Sequence, residues 1–232
     1  MFDFNYFIEC FFLILPGIPI TFFIAFLSFF LGCVIGLFFA LIRIHNIFIL
    51  SNLCTLFVSF FRGTPLLVQL VMFYNAIPQL MQMYELTFLN SIEPIYYALL
   101  AFTLYAIAYL TEIFRSALLA VDKGQIEAAY SVGMTYYQAL IRIILPQAFM
   151  ITLPNLLNFF IIQIKNTSLA SIITVHDIMG LSEIELGRNS RYLEVYMMAA
   201  LVYWFLCFSL ENIFLYLETY FSKFRRVVFD RT

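Results

Sequence analysis

The sequence predicts an all-α membrane protein with about five transmembrane helices. Of its 232 residues, 64% are hydrophobic and only 11% are charged, and the mean hydropathy is +0.96. Soluble globular domains carry about 45 to 50% apolar and roughly 25% charged residues, so most of this surface is expected to face lipid. Residues 10–42 form a run of 33 residues without a charge or a histidine. At about 20 residues per span, the chain has room for several spanning helices.

The run of uncharged residues at 10–42 is too long for one span. It would extend about 50 Å as a single helix, against a hydrocarbon core of about 30 Å. Pro16, Gly17 and Pro19 are expected to break it into a short interfacial piece and a first span over 20–42. The other spans are predicted over 52–77, 95–120, 148–175 and 195–217.

The distribution of basic residues predicts an orientation. If successive spans alternate direction, nine of the twelve basic residues fall on one side and three on the other. The side rich in basic residues is expected to be cytoplasmic, which places the N-terminus outside and the C-terminus inside. The nine are Arg43, Arg62, Arg115, Lys123, Arg142, Lys223, Arg225, Arg226 and Arg231, and the three are Lys165, Arg188 and Arg191.

Composition and spacing exclude several other classes of protein. The apolar excess argues against a disordered chain, a nucleic-acid binder and a disulfide-stapled secreted module. The net charge of −2 is too balanced to attract an acidic partner. The four cysteines are far apart and form no Cys-x-x-Cys pair, so we predict neither a metal site nor a disulfide framework. Residues 1–9 lack a basic segment, so the first apolar stretch is expected to remain as a membrane anchor.

The stretch 122–146 is too structured for a simple linker between two spans. Asp122 and Thr135 are each followed three residues later by glutamine, which is the capping pattern of a helix start. Gly133 lies between them and can take the left-handed conformation that ends a helix. We therefore predict two short helices joined by a tight elbow outside the bilayer. Small residues on this elbow suit insertion into the groove of a partner.

The elbow residues resemble a known family. Glu127-Ala128-Ala129 is followed after three residues by Gly133, and after nine more by Ile143-Ile144-Leu145-Pro146. This arrangement is similar to the EAA signature of permease subunits in type I ABC importers. Further segments resemble the polar amino-acid branch of that family, and the similarity spans nearly the whole chain. These segments are Phe61-Arg62-Gly63-Thr64-Pro65-Leu66, Gly124-Gln125, Pro146-Gln147-Ala148 and Lys165-Asn166-Thr167-Ser168-Leu169.

The resemblance implies an importer permease with the type I fold, and a single transmembrane domain over residues 1–232. It also implies a working unit in a bacterial cytoplasmic membrane. The unit has two permease subunits, identical or sister chains, two ATPase subunits and an extracytoplasmic solute-binding protein. The substrate would be a polar or charged amino acid. The elbow would be the coupling helix that rests in an ATPase cleft, with contacts from Gln125, Glu127, Ala128, Ala129 and Gly133.

The chain has no phosphate-cradling sequence of its own. No Gly-x-x-x-x-Gly-Lys-Ser/Thr occurs in it, nor any Gly-Lys pair. We therefore expect a transport subunit rather than an enzyme, with no cofactor in this chain. ATP would be used by the partner ATPase subunits.

A cluster of polar residues near the end of the fourth predicted span is a candidate substrate site. Lys165 lies about 25 Å along that span. With Asn166, Thr167 and Ser168 it offers a cation and several hydrogen-bonding groups, which suit a substrate carboxylate. The resemblance also implies that related permeases hold their amino acid here. A lysine that snorkels, beside hydroxyls bonded to their own helix, would explain the same residues without a substrate.

Two further groups of polar residues lie inside predicted spans, where charges usually face a cavity or a partner. Glu112 and Arg115 are three residues apart, so they share a helix face and can pair with each other. They are candidates for a structural pair or gate, or for direct contact with substrate. Arg62, Gly63, Thr64 and Pro65 are interpreted as a packing or gating turn, because Gly63 permits close contact and Pro65 fits a first helical turn.

Two other functions, those of a secondary transporter and of an intramembrane enzyme, predict features that the sequence does not show. A secondary transporter would be expected to show inverted repeats and no folded elbow, and no internal repeat is apparent. An intramembrane enzyme would need acid–base groups, but the sequence has no His-Glu-x-x-His or Gly-x-Ser-x-Gly. Its two histidines, His45 and His176, are far apart.

Overall fold

A computed structural model describes residues 2–84 and 92–229, with side chains up to residue 220. Every element in these ranges is helical. The side chains of Lys223, Arg225 and Arg226 and the whole of Arg231, which entered the orientation argument, lie outside the described part. The helices are α1 (Phe4–Ile14), α2 (Ile18–Ile44), α3 (Leu50–Gly63), α4 (Leu66–Met83), α5 (Pro94–Leu119), α6 (Lys123–Ser131), α7 (Tyr136–Ala139), α8 (Leu145–Asn166), α9 (Ile178–Asn189) and α10 (Tyr192–Phe229).

The expected number of spans is confirmed. Within the described ranges, four helical segments are long and apolar enough to cross a membrane: Phe4–Ile44, Pro94–Leu119, Tyr136–Ile173 and Tyr192–Tyr220. Helices α3 and α4 supply a fifth span if the bent pair is counted as one. The chain is therefore an all-α membrane protein with four to five spans.

The first uncharged run is interrupted where the sequence predicts. A 3-10 turn at Leu15–Gly17 contains Pro16 and Gly17, and Pro19 lies in the first turn of α2. The first piece is nevertheless packed into the protein, since Cys10 and Ile14 are fully buried in a cluster with residues of α9 and α10. One face of α1 is therefore covered by α9 and α10, and its interfacial position stays a prediction.

Helices α2 and α5 form the centre of the bundle. Small residues recur every four positions along α2, and all of them are buried: Ser28, Gly32, Gly36 and Ala40. A row of small residues lets two backbones approach closely, which is how helices associate in lipid. Residues of α8 close the bundle on a second side, where Gln163 donates hydrogen bonds to the Ser28 hydroxyl (2.9 Å) and the Phe102 carbonyl (3.2 Å).

The second predicted span is broken rather than straight. Helices α3 and α4 meet at Thr64 and Pro65 with a bend of 104°. Since α3 has 14 residues, the bend lies about 21 Å along the chain from the turn after α2. The expected interruption is therefore present, at Thr64 and Pro65, whereas Arg62 and Gly63 still belong to α3. The close contact expected at Gly63 was wrong, because a Cβ there would meet no atom within 4 Å.

The fourth span begins earlier and ends less regularly than predicted. It starts at α7, passes a π turn at Leu140–Ile144 and continues as α8. After Asn166 it tightens into a 3-10 helix over Thr167–Ile173, which ends at Thr174 in a left-handed conformation (φ +64°). This turn leads into α9, which lies outside the candidate spans and is capped by Asp177.

Candidate functional site

The predicted elbow is present, with the caps expected from the sequence. The Asp122 carboxylate accepts a hydrogen bond from the Gly124 backbone N–H (2.6 Å) and starts α6. Gly133 has φ +79°, a conformation in which a side chain is strained. Thr135 and Gln138 form a reciprocal capping box at the start of α7. The two short helices are therefore joined by a turn with a defined direction.

One side of the elbow packs onto the bundle. Leu140 and Ile144 are buried in a cluster with Ala40 of α2 and Leu118 at the end of α5, and Ala139 is also buried. Ala129 is only 2% exposed, so it faces the protein itself. Its expected place on a partner contact was therefore wrong, because the rest of the chain already covers this side chain.

The other side of the elbow is open and carries several apolar side chains among polar ones. Tyr130, Val132 and Tyr137 are exposed by 47%, 74% and 73%, beside the exposed residues Glu127 and Ala128. Gln125 and Gly133 are also exposed, and the Gln125 side chain accepts a long hydrogen bond from Gln147 (3.4 Å). Exposed large apolar side chains beside polar ones, at the end of a membrane span, are consistent with a protein interaction surface. We call Glu127, Ala128, Tyr130, Val132 and Tyr137 the elbow surface.

The charges inside the bundle form a three-residue cluster. Glu112 pairs with Arg115 (2.9 Å), as their spacing predicts, and also with Arg43 of α2. The sequence analysis did not connect Arg43 to this pair, because the two residues lie 69 positions apart. The Arg43–Glu112 pair joins α2 to α5 beyond the small-residue contacts, whereas the Glu112–Arg115 pair lies within α5.

The break between α3 and α4 is held by Gln69. Its side-chain N–H groups donate to the carbonyls of Phe61 (3.0 Å) and Thr64 (3.1 Å) and to the Thr64 hydroxyl (2.8 Å). Thr64 in turn donates to the Phe60 carbonyl (2.9 Å). Carbonyls freed at a helix end need such partners inside a membrane. Gln69 is buried. Its position four residues after Pro65 is the sequence feature that could have indicated its role in holding the break.

The end of α3, on one side of this break, borders an open cavity of about 440 Å³ together with residues of α2 and α5. Arg62 lies over the ring of Tyr109 in α5, with its guanidinium carbon 5.3 Å from the ring centroid. Arg43 and Glu112 of the charge cluster border the same cavity, together with Thr55, Val58, Ser59 and Gly63. The structure therefore brings Arg62 and Glu112 to one site, although the sequence placed them on different spans.

The four residues 165–168 do not converge on one site. Lys165 faces α10 and borders a smaller cavity of about 220 Å³ with Tyr203, Trp204, Cys207, Phe208 and Glu211. Thr167 is buried and donates to the Ile164 carbonyl (2.8 Å), while Ser168 donates to the Lys165 carbonyl (2.9 Å). The helix-bonded hydroxyls of the alternative interpretation are thus observed. Among the described residues, no ion pair or hydrogen bond joins Lys165 to Glu112 or Arg115.

A buried aspartate holds the turn before α9. Asp177 is fully buried and accepts hydrogen bonds from the Gly180 backbone N–H (2.9 Å) and the Tyr203 hydroxyl (3.1 Å). Burial raises the pKa of this carboxyl to about 6, although these donors work in the opposite direction. Asp177 could not be identified from the sequence, because nothing there distinguishes it from the surface charges around it.

Comparison with known proteins identifies the family. Residues 32–223 match the family described as binding-protein-dependent transport system inner membrane component. The match includes the α3–α4 break, the charge cluster and the elbow, and it covers well over half of the chain. The protein belongs to this family of transport-system membrane subunits.

Individual relatives are similar over nearly the full length. The chain is 37% identical to the probable amino-acid ABC transporter permease protein PatM of Vibrio harveyi, over 96% of this chain and 97% of PatM. It is 39% identical to the L-cystine transport system permease protein TcyL of Bacillus subtilis (strain 168), over 89% of this chain and 86% of TcyL. A crystal structure of an amino acid ABC transporter with histidines superposes with a TM-score of 0.85 at 30% identity, covering 94% of this chain and 99% of the other.

Proposed function

We propose that this chain is the permease subunit of an ATP-driven amino-acid importer. The observation that carries the proposal is the elbow, a capped two-helix turn between the third and fourth candidate spans, with exposed tyrosine and valine side chains. The proposal is also supported by the chain's membership of the transport-system family and by its similarity to PatM, TcyL and an amino acid transporter structure. On this proposal the chain acts as a single transmembrane domain.

The energy comes from separate subunits. Two ABC ATPase subunits bind and hydrolyse ATP, and this permease chain contributes no ATPase site and no cofactor. A second permease subunit, identical or a sister chain, completes the translocation path. An extracytoplasmic solute-binding protein delivers the substrate.

The elbow transmits the movement of the ATPase subunits. Nucleotide binding brings the two ATPase subunits together, and the elbow surface of each permease moves with them. Because the inward-open and outward-open states differ in the distance between the two elbows, this closure shifts the permeases toward the outward-open state. The residues proposed at the contact are Gln125, Glu127, Ala128 and Gly133, joined now by Tyr130, Val132 and Tyr137.

The protein is proposed to lie in a bacterial cytoplasmic membrane, with its N-terminus outside and its C-terminus in the cytoplasm. The excess of basic residues on the elbow side supports this orientation. The substrate is proposed to be a polar or charged amino acid, consistent with the cystine permease among the relatives.

Uptake by whole cells tests the proposal. Cells lacking the gene are complemented with wild-type protein, Tyr137→Asp or the matched control Tyr137→Phe, and are given labelled amino acids in turn. We expect wild type and Tyr137→Phe to restore uptake of at least one amino acid, and Tyr137→Asp to fail because a carboxylate disrupts an apolar contact. Uptake that never depends on the gene, or that Tyr137→Asp restores in full, would contradict the proposal.

A further inference from the structure

Arg62 differs from the other arginines inside the bundle. Arg43 and Arg115 are both paired with Glu112. Among the described residues, no carboxylate lies within ion-pair distance of Arg62, which is exposed to the cavity at the α3–α4 break. A charge within a membrane span is costly unless it meets water or an opposite charge. Within residues 2–84 and 92–220, the charge of Arg62 therefore has no ion-pair partner.

The end of α3 does not account for Arg62. A basic residue in a last helical turn often serves the free carbonyls there. Here Thr64 and Gln69 already donate to the carbonyls of Phe60 and Phe61. The Arg62 guanidinium instead reaches across to α5 and lies over Tyr109, which leaves its N–H groups available at the cavity.

The local balance of charge is positive. The charged residues that line the cavity are Arg43, Arg62 and Glu112, which sum to +1 by count. Arg115, paired with Glu112 but outside the lining, adds a further positive charge nearby. The cavity, at about 440 Å³, has room for a small organic ion with its water. A guanidinium group binds a carboxylate through parallel hydrogen bonds. The Tyr109 ring contacts the Arg62 guanidinium and helps to hold it at the cavity.

We infer that the cavity at the α3–α4 break is an anion site, in which Arg62 binds the carboxylate of the amino acid on its way through the membrane. Arg62 is then a binding residue rather than only part of a packing or gating turn. Ser59 supplies a hydroxyl on the same wall, whereas the Thr55 hydroxyl there already donates to the Ser51 carbonyl (2.8 Å). The identity of the anion rests on the proposed function, whereas the positive character of the cavity does not.

The charge of the cavity is measured with thiol reagents of opposite sign. In the full complex, the four native cysteines are replaced and Ser59→Cys is introduced beside Arg62. Its reaction rates with an anionic sulfonate and a cationic trimethylammonium methanethiosulfonate are compared with those of a free thiol. We expect the anionic reagent to be favoured by on the order of tenfold relative to the free thiol. If the anionic reagent is not favoured, the inference is overturned. This first measurement leaves Arg62 itself unchanged.

Substitution of Arg62 assigns the preference to this residue. Arg62→Gln should remove most of the anion preference, and the matched control Arg62→Lys should keep it because the charge remains. A preference that survives in Arg62→Gln would overturn the assignment. If vesicles containing phosphatidylglycerol slow labelling of Ser59→Cys, whereas L-glutamine and L-cystine do not, a lipid headgroup occupies the site and the inference is wrong.

Transport kinetics separate this inference from the proposed function. Complexes in proteoliposomes are supplied with their binding protein, ATP and labelled L-glutamine or L-cystine. Arg62→Gln should lower the ratio of maximal rate to half-saturating concentration by on the order of tenfold, with partial rescue in Arg62→Lys. Wild-type uptake with unchanged Arg62→Gln kinetics would overturn the carboxylate assignment alone. No ATP-dependent uptake of any amino acid by wild type would instead overturn the proposed function and the identity of the anion.

Discussion

Gly32 of α2 lies so close to Ala106 of α5 that a Cβ atom on Gly32 would be 2.7 Å from the Ala106 Cβ. The same Cβ would be 3.1 Å from the Ala106 backbone carbon, which cannot move aside as a flexible side chain can. The small-residue row of α2 is therefore required by the distance between the two central helices.

The first prediction concerns this contact. Gly32→Val should lower the free energy of unfolding by about 1 to 3 kcal/mol, because the added methyl groups force α2 away from α5. Gly187→Ala in α9 is the matched control, since a Cβ there meets nothing within 4 Å. Thermal unfolding of the purified complex in detergent measures both. Equal unfolding temperatures for the two variants would contradict the close packing.

The second prediction concerns Glu112. Glu112→Gln leaves Arg43 and Arg115 without their anion, and should destabilise the protein by about 1 to 2 kcal/mol. The cost is smaller than for a fully buried pair because all three side chains keep some contact with solvent. The double variant Arg43→Gln, Glu112→Gln should recover part of the loss in a thermal unfolding cycle. Strictly additive effects would show that the two residues do not interact.

The third prediction concerns pH. The pKa of Asp177 is about 6 in the folded protein, above its usual 3.8, so the folded state favours the protonated carboxyl. The stability that this proton contributes is full below about pH 4 and is lost as the pH rises through 6. It amounts to on the order of 3 kcal/mol.

Asp177→Asn stays neutral and should remove this dependence. The unfolding temperature of wild type, relative to Asp177→Asn, should therefore fall between pH 4 and pH 6 and change little above pH 7. Comparing the two proteins cancels the titration of other groups. A difference that rises over this range would mean that the donors Tyr203 and Gly180 outweigh burial.

The fourth prediction concerns the turn of the elbow. Gly133→Val places a β-branched residue at φ +79°, which costs about 1 to 2 kcal/mol or forces the turn to change. Since a Cβ at Gly133 meets no atom within 4 Å, the effect is conformational and not a clash. We expect less ATPase subunit to co-purify with Gly133→Val, and nearly normal amounts with Gly133→Asn, because asparagine tolerates this conformation. Normal association of both variants would contradict the role of the elbow.

Much of the fold could be predicted because its causes are local. The uncharged runs indicated the spans, Pro16 to Pro19 indicated the first break, and Asp122, Gly133 and Thr135 indicated the elbow. Each of these effects acts within a few residues of the chain. The 104° bend at Thr64 and Pro65 is less local, since its size depends on how Gln69 holds the end of α3.

The candidate sites were harder to predict because they depend on contacts between distant segments. The pairing of Glu112 with Arg115 followed from their spacing, but the contribution of Arg43 from another helix did not. Residues 165–168 are adjacent in sequence, yet successive helical positions point in different directions. Lys165 consequently faces α10 while Thr167 is buried. Ala129 was assigned to the partner surface because it is small. Its size, however, does not indicate which face of the helix it occupies, and the structure buries it.

ATP-dependent uptake by purified components is the most direct test of the central claim. The chain is reconstituted into proteoliposomes with its ATPase subunits and second permease subunit. ATP is supplied in the compartment that the ATPase subunits face. The binding protein and labelled amino acids are added to the opposite compartment. The proposed function predicts accumulation of at least one amino acid with ATP, none with ADP, and none when Tyr137→Asp replaces the wild-type chain. Accumulation that is independent of ATP, or driven by an ion gradient alone, would contradict it.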